Sequence, residues 1–160
     1  MKNKKTLRAL VAVTTIVTLL SLFHVISLTI QSLYISGAMG TEFSPGWNEK
    51  ILWGQIIIFS GRIVSGYTFY LLLTLFMFNS VRGYKKGIIF PKTNVKFLYG
   101  CSISYFFYSF FNLNIDIIGA TNEYLLKLDT ESVVLTLLFA IFALMYHIAE
   151  KISEENNLTI

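Results

Sequence analysis

A chain of 160 residues with 54% apolar and only 14% charged side chains falls well short of the roughly 25% charged residues of a soluble domain, so water is not its main solvent. Its net charge of +4 comes from bases clustered beside apolar runs rather than spread along a groove-like face. That excludes direct nucleic-acid binding and makes the bases topology signals. A lone cysteine, Cys101, rules out an intrachain disulfide, and no second thiol or histidine cluster accompanies it to build a zinc site. It is expected to pack inside a helix, and the sequence calls for no cofactor.

The first predicted element follows the basic segment ending at Arg8 and runs apolar over residues 9–35, longer than the ~20 residues a bilayer core requires. A basic start before an apolar run also marks a secretory signal, and Ser36-Gly37-Ala38 offers small residues for cleavage. The stretch exceeds the roughly 7 to 15 residues of a signal core, and further apolar runs follow, so it is read as an uncleaved helix. His24 and Gln31 lie on one face of its outer half, with His24 expected to pack in the bundle. Residues 37–50 form an outer loop broken by Gly37, Gly40, Pro45 and Gly46, with Trp47 and Trp53 placed as interfacial aromatics.

The second span, over 56–79, contains Arg62, which precedes Arg82 by about 30 Å of helix, one hydrocarbon thickness. Ser60, Gly61, Ser65 and Gly66 give it small surfaces for close helix approach. The following segment carries Arg82, Lys85, Lys86, Lys92 and Lys96 and no acid, the clearest cytoplasmic loop in the chain. Within it Gly87 is expected to relax a turn, Ile89 and Phe90 to dip into the interface, and Thr93 or Asn94 to cap the next helix.

The third span, over 97–118, is crowded with aromatics such as Tyr105, Phe106, Phe107 and Tyr108. At helical spacing these cover every face and are expected to pack. Asn112 and Asn114 are expected to bond across helices. Asp116 lies as far from Lys96 as Arg62 does from Arg82, so both fall at one depth and are expected to form a structural clamp between neighbouring helices. Snorkelling by Arg62 and an ion or ligand site are the alternatives. A second outer loop carries Glu123, Asp129 and Glu131 against Lys127. The fourth span covers 132–149, with His147 near its inner end beside Glu150.

Short-loop bases decide the orientation. Lys2, Lys4, Lys5, Arg8 and the five loop bases stand on one side, against Lys50 and Lys127 on the other. The expected fold is therefore an all-α membrane protein, a single antiparallel four-helix transmembrane bundle over residues 1–160. It is placed in the cytoplasmic (inner) membrane with both termini cytoplasmic and the lipid bilayer as its first partner.

Gly87-Ile88-Ile89-Phe90 followed by Asn94 and Val95, together with the ending Glu155-Asn156-Asn157-Leu158-Thr159-Ile160, resembles the bacterial four-span membrane protein family labelled domain of unknown function twenty-nine seventy-five. The family's loop reads about Gly-x-Ile-Phe-x-x-x-Asn, and Asn157 stands where its members commonly carry Asp before Leu-Thr-Ile. The resemblance extends along nearly the whole chain in span number, loop placement and tail. It implies, through gene neighbourhood, a small cytoplasmic helix-turn-helix regulator of the Cro type as partner, and it implies no catalytic residue.

No Ser/His/Asp set at matched depth, His-Glu-x-x-His, phosphate-cradling glycine loop or paired carboxylates inside the spans points to an enzyme. The sequence reads as a non-catalytic regulatory or sensory partner acting through one cytoplasmic surface. Gly87, Ile89, Phe90 and Asn94 of the basic loop would share that surface with Leu158, Thr159 and Ile160, the tail being drawn to the loop by Glu154 and Glu155. The alternative is a small transporter or channel component, for which spans two and four offer few polar lining residues. A homo-oligomer is compatible with that alternative.

Overall fold

The computed structural model describes residues 4–36, 47–119 and 124–158, with side chains through 155. Every regular element among them is helical: α1 Lys4–Ile35, α2 Leu52–Lys86, α3 Thr93–Leu113, a short 3-10 helix Ile115–Gly119, and α4 Thr130–Leu158. Three of these, α1, α2 and α4, are long and apolar enough to cross a membrane. At 1.5 Å per residue α3 is also about 32 Å long. Its tyrosines and serines make it less apolar, which it can tolerate because it lies between two other helices.

Neighbouring helices run antiparallel, as the pairings between them show. His24 stacks on Tyr70 and Thr29 bonds Tyr67, so α1 descends as α2 climbs. Phe69 meets Tyr105, Asn79 bonds Asn94, and Tyr105 meets Phe139, which carries the alternation through α3 to α4. Close backbone approach joins α1 to α2, α2 to α3 and α3 to α4, and none joins α1 to α4 among the described residues. The arrangement is thus an open row centred on α2 and α3 rather than a closed square. Aromatic contacts between Phe69 and Phe139 and between Phe76 and Tyr146 fold α4 back toward α2.

The exposed area, 10817 Å², exceeds the about 8,100 Å² of a compact soluble chain of this mass. Much of the excess is apolar surface on the flanking helices: only 11% of the most apolar stretch of α1 and 6% of that of α4 are buried. Such faces suit a solvent of acyl chains. The buried residues of α1, Thr14, Ser21, Leu28 and Ser32, follow the 3.5-residue period of a left-handed helix seam. Polar residues on that seam cost little, because Thr14 and Ser32 return their hydroxyl hydrogens to the carbonyls of Leu10 and Leu28.

Small residues on α2 do set helix approach. Gly61 lies under the Phe111 ring, and a methyl group on Gly66 would stand 2.8 Å from Leu28 and 3.0 Å from Tyr108. At that point side chains of α1 and α3 both reach the α2 backbone.

The helix ends differ from the sequence expectation. α2 continues through Lys86, so Arg82, Lys85 and Lys86 are helical and the connection to α3 shrinks to 87–92. Gly87 ends the helix with φ 87°, its N–H bonding the Tyr84 carbonyl while the Ile88 N–H bonds that of Gly83. This is the Schellman pattern that glycine alone adopts without strain. At the other end α3 stops at Leu113 instead of continuing to 118. The chain turns at Asn114 into the 3-10 helix, where burying Ile117 and Ile118 against Ile58 outweighs extension of a straight helix. α4 starts on Asp129, whose carboxylate accepts the Ser132 N–H at 3.1 Å, an N-cap bond.

Candidate functional site

Polar side chains buried in an apolar protein must find partners inside it, and those of this chain gather in three layers. The layer nearest the α2–α3 turn centres on Asn94, which is fully buried. Its Nδ2 donates to Ser80 Oγ at 2.8 Å and to Tyr146 Oη at 3.0 Å, and its Oδ1 accepts from Asn79 Nδ2 at 2.7 Å. Every hydrogen-bonding position of the amide except one lone pair is used, and α2, α3 and α4 are tied at one point.

The layer at the opposite end of α2 and α3 uses Gln55 and Asn114, both fully buried. Gln55 donates to the carbonyls of Ile117 and Ile118 at 2.9 and 3.2 Å and accepts the Asn48 N–H at 3.0 Å. Asn114 donates to the carbonyls of Phe110 and Lys127, both at 2.8 Å, and accepts the Lys127 N–H at 2.7 Å. Two amides thereby supply the partners that irregular backbone lacks where the helices end.

Between these lies the Arg62 layer. The guanidinium is buried, at 5% exposure. Its Nε–H donates to Asn112 Oδ1 on α3 at 2.9 Å and its Nη2–H to Gln31 Oε1 on α1, while Nη1 is buried without a partner. The expected Arg62–Asp116 clamp is not formed. Asp116 leaves the helix direction with the 3-10 turn and instead meets Lys127 Nζ at 3.5 Å, on side chains 70% and 54% exposed. Amides from α1 and α3 occupy the place the carboxylate was expected to take.

The expected partner surface is also divided by the fold. Asn94 is off the surface and caps no helix, since it is enclosed among Asn79, Ser80 and Tyr146. Phe90 turns inward, its ring edge-on to Tyr146 at 5.3 Å. Gly87 is exposed, and Ile88 and Ile89 stand out at 52% and 60% exposure. On the tail, α4 runs on to end at Leu158. Thr159 and Ile160 lie outside the described residues, and so does the docking of the tail's end on the loop.

Comparison of the chain with protein-family models, curated proteins and solved structures finds no match.

Among the described residues no three of His, Cys, Asp and Glu come together in a way that could hold a metal ion. Cys101 is fully buried. His24 is exposed and stacks on Tyr70 at 5.3 Å, and His147 Nδ1 lies 3.3 Å from the buried Glu150. Gln55, Asn79 and Tyr146 were missed by sequence reasoning as polar anchors. The available signal was a lone amide interrupting an apolar run, as at Gln55 and Asn79.

Proposed function

We propose that the protein is a four-span protein of the cytoplasmic membrane, with both ends in the cytoplasm, that serves as a non-catalytic regulatory or sensory partner. The observation that carries this reading is the exposed pair Ile88–Ile89 at the basic end of the helix row. An apolar pair between Lys86 and Lys92 is held by the Gly87 turn on one side and the Asn94 layer on the other, so it is presented on a rigid support. α3 serves as the third span because its polar groups are met by its neighbours, Ser102 donating to the Thr136 carbonyl at 2.9 Å. The bases around the pair favour an acidic or amphipathic cytoplasmic partner, consistent with the small helix-turn-helix regulator that the family resemblance implies. The end of α4 with Leu158, Thr159 and Ile160 is the second part of the contact.

A reporter active only in the cytoplasm should work when fused after Lys86 or Ile160 and fail after Gly46 or Asn122; activity at Asn122 would overturn the four-span reading. Replacing Ile88 and Ile89 together by Asp should leave the protein folded in the membrane and abolish copurification of the regulator. Unchanged copurification, or solute flux in proteoliposomes without any retained partner, would turn the reading toward transport.

A further inference from the structure

We propose that Arg62 is the core of an anion site that takes the single negative charge of a phosphodiester or carboxylate. Arginine stays charged at any physiological pH, and this one is buried between three helices with only neutral amide oxygens as acceptors. Asp116 pairs with Lys127 and Glu150 with His147, and neither carboxylate supplies Arg62 with a counter-charge. A buried cation without an anion is costly, and the unpartnered Nη1 adds an unmade hydrogen bond. Both deficits point to a missing oxyanion.

Gln31 marks where the anion enters. Its side chain is exposed, as is that of Asn112, but it is Gln31 that holds Nη2, the nitrogen beside the unpartnered Nη1; besides Arg62 it is held by a 3.3 Å bond to Ser27 Oγ. Swinging it aside frees Nη2 next to Nη1, the end of the guanidinium fork that receives two oxygens of one phosphate or carboxylate. Asn112 keeps its hold on Nε, so the fork stays oriented. An oxyanion is a stronger acceptor than the Gln31 amide and also supplies the missing charge.

The depth selects among oxyanions. Arg62 stands about 30 Å along α2 from Arg82, which places it at the headgroup layer opposite the basic end if α2 crosses the bilayer. The headgroup phosphate of an anionic phospholipid is therefore the favoured source, and a small soluble oxyanion is the other. This inference does not rest on the inner-face partner.

The test is thermal unfolding of the full-length protein in a neutral detergent, titrated separately with phosphatidylglycerol, phosphatidylcholine and inorganic phosphate. Phosphatidylglycerol should raise the melting temperature saturably, with no such rise from phosphatidylcholine. A rise with inorganic phosphate would assign the site to a soluble oxyanion instead. Arg62→Gln should weaken the response by about 10- to 150-fold, the loss of a hydrogen bond to a charged group. Gln31→Glu brings a carboxylate to the guanidinium from within, so it should melt above the wild type without added anion and no longer respond. The site is overturned if the wild type responds to neither phosphatidylglycerol nor phosphate, if either variant keeps the full response, or if Gln31→Glu melts no higher than the wild type.

Discussion

Replacing Asn94 by Ala removes one amide and disconnects three helices at once. Three side-chain hydrogen bonds disappear, to Ser80, Tyr146 and Asn79. Bonds between membrane helices average roughly 0.6 kcal/mol and reach about 1.7, so the bonds alone amount to about 2 kcal/mol. The stranded partners are half-buried, and an unmade bond there costs more than one in water, which raises the expected total toward about 4 kcal/mol. Unfolding in mixed micelles with increasing sodium dodecyl sulfate measures this change. Tyr146→Phe deletes the 3.0 Å contact to Asn94 together with the hydroxyl's bond to Ser80 and should cost about 1–2 kcal/mol. The double variant should fall short of the sum of the two by about 0.5–1.5 kcal/mol, the energy of the shared bond. An Asn94→Ala cost below about 0.5 kcal/mol, or strict additivity with Tyr146→Phe, would refute the view that this amide locks α2, α3 and α4 together.

Gln55→Leu should destabilise by about 1–3 kcal/mol, because the carbonyls of Ile117 and Ile118 lose their donor, and hydrogen exchange should quicken across residues 115–119. Asp116→Asn should change stability by less than about 1 kcal/mol, since its partner Lys127 is a solvated surface cation; a larger loss in the same assay would restore the clamp with Arg62. At Asp129, partial desolvation pushes the carboxyl up. Bonds from the N–H groups of Glu131, Ser132 and Thr130 and from the Ser132 hydroxyl outweigh it and hold the group below the ordinary aspartate value. The stabilisation it gives the start of α4 is thus fully present above the ordinary pKa and is lost as pH falls through the depressed one. Hydrogen exchange in the first turn of α4 should rise over that acid range in the wild type and be fast at all pH in Asp129→Ala.

The sequence by itself determined what depends on composition and period. Long apolar runs separated by breakers and basic clusters dictate helices at residues 9–35, 56–79 and 132–149, because a backbone with little water nearby must bond within its own segment. Gly87 announced its turn, since the left-handed conformation there excludes most other residues. The small residues Gly61 and Gly66 announced close approach in the same local way.

Which groups touch across helices was decided only by tertiary packing. Depth counting put Arg62 and Asp116 at one level, but depth says nothing about direction around a helix or about where a helix stops. Burial of Ile117 and Ile118 against Ile58 ends α3 early and carries Asp116 out to Lys127, leaving Arg62 to Gln31 and Asn112. Asn94 read as a loop residue because its partners Asn79, Ser80 and Tyr146 lie 14 to 52 positions away in the chain. Only the register of α2, α3 and α4 brings them together, and that register is set by the summed packing of many side chains rather than by any short pattern.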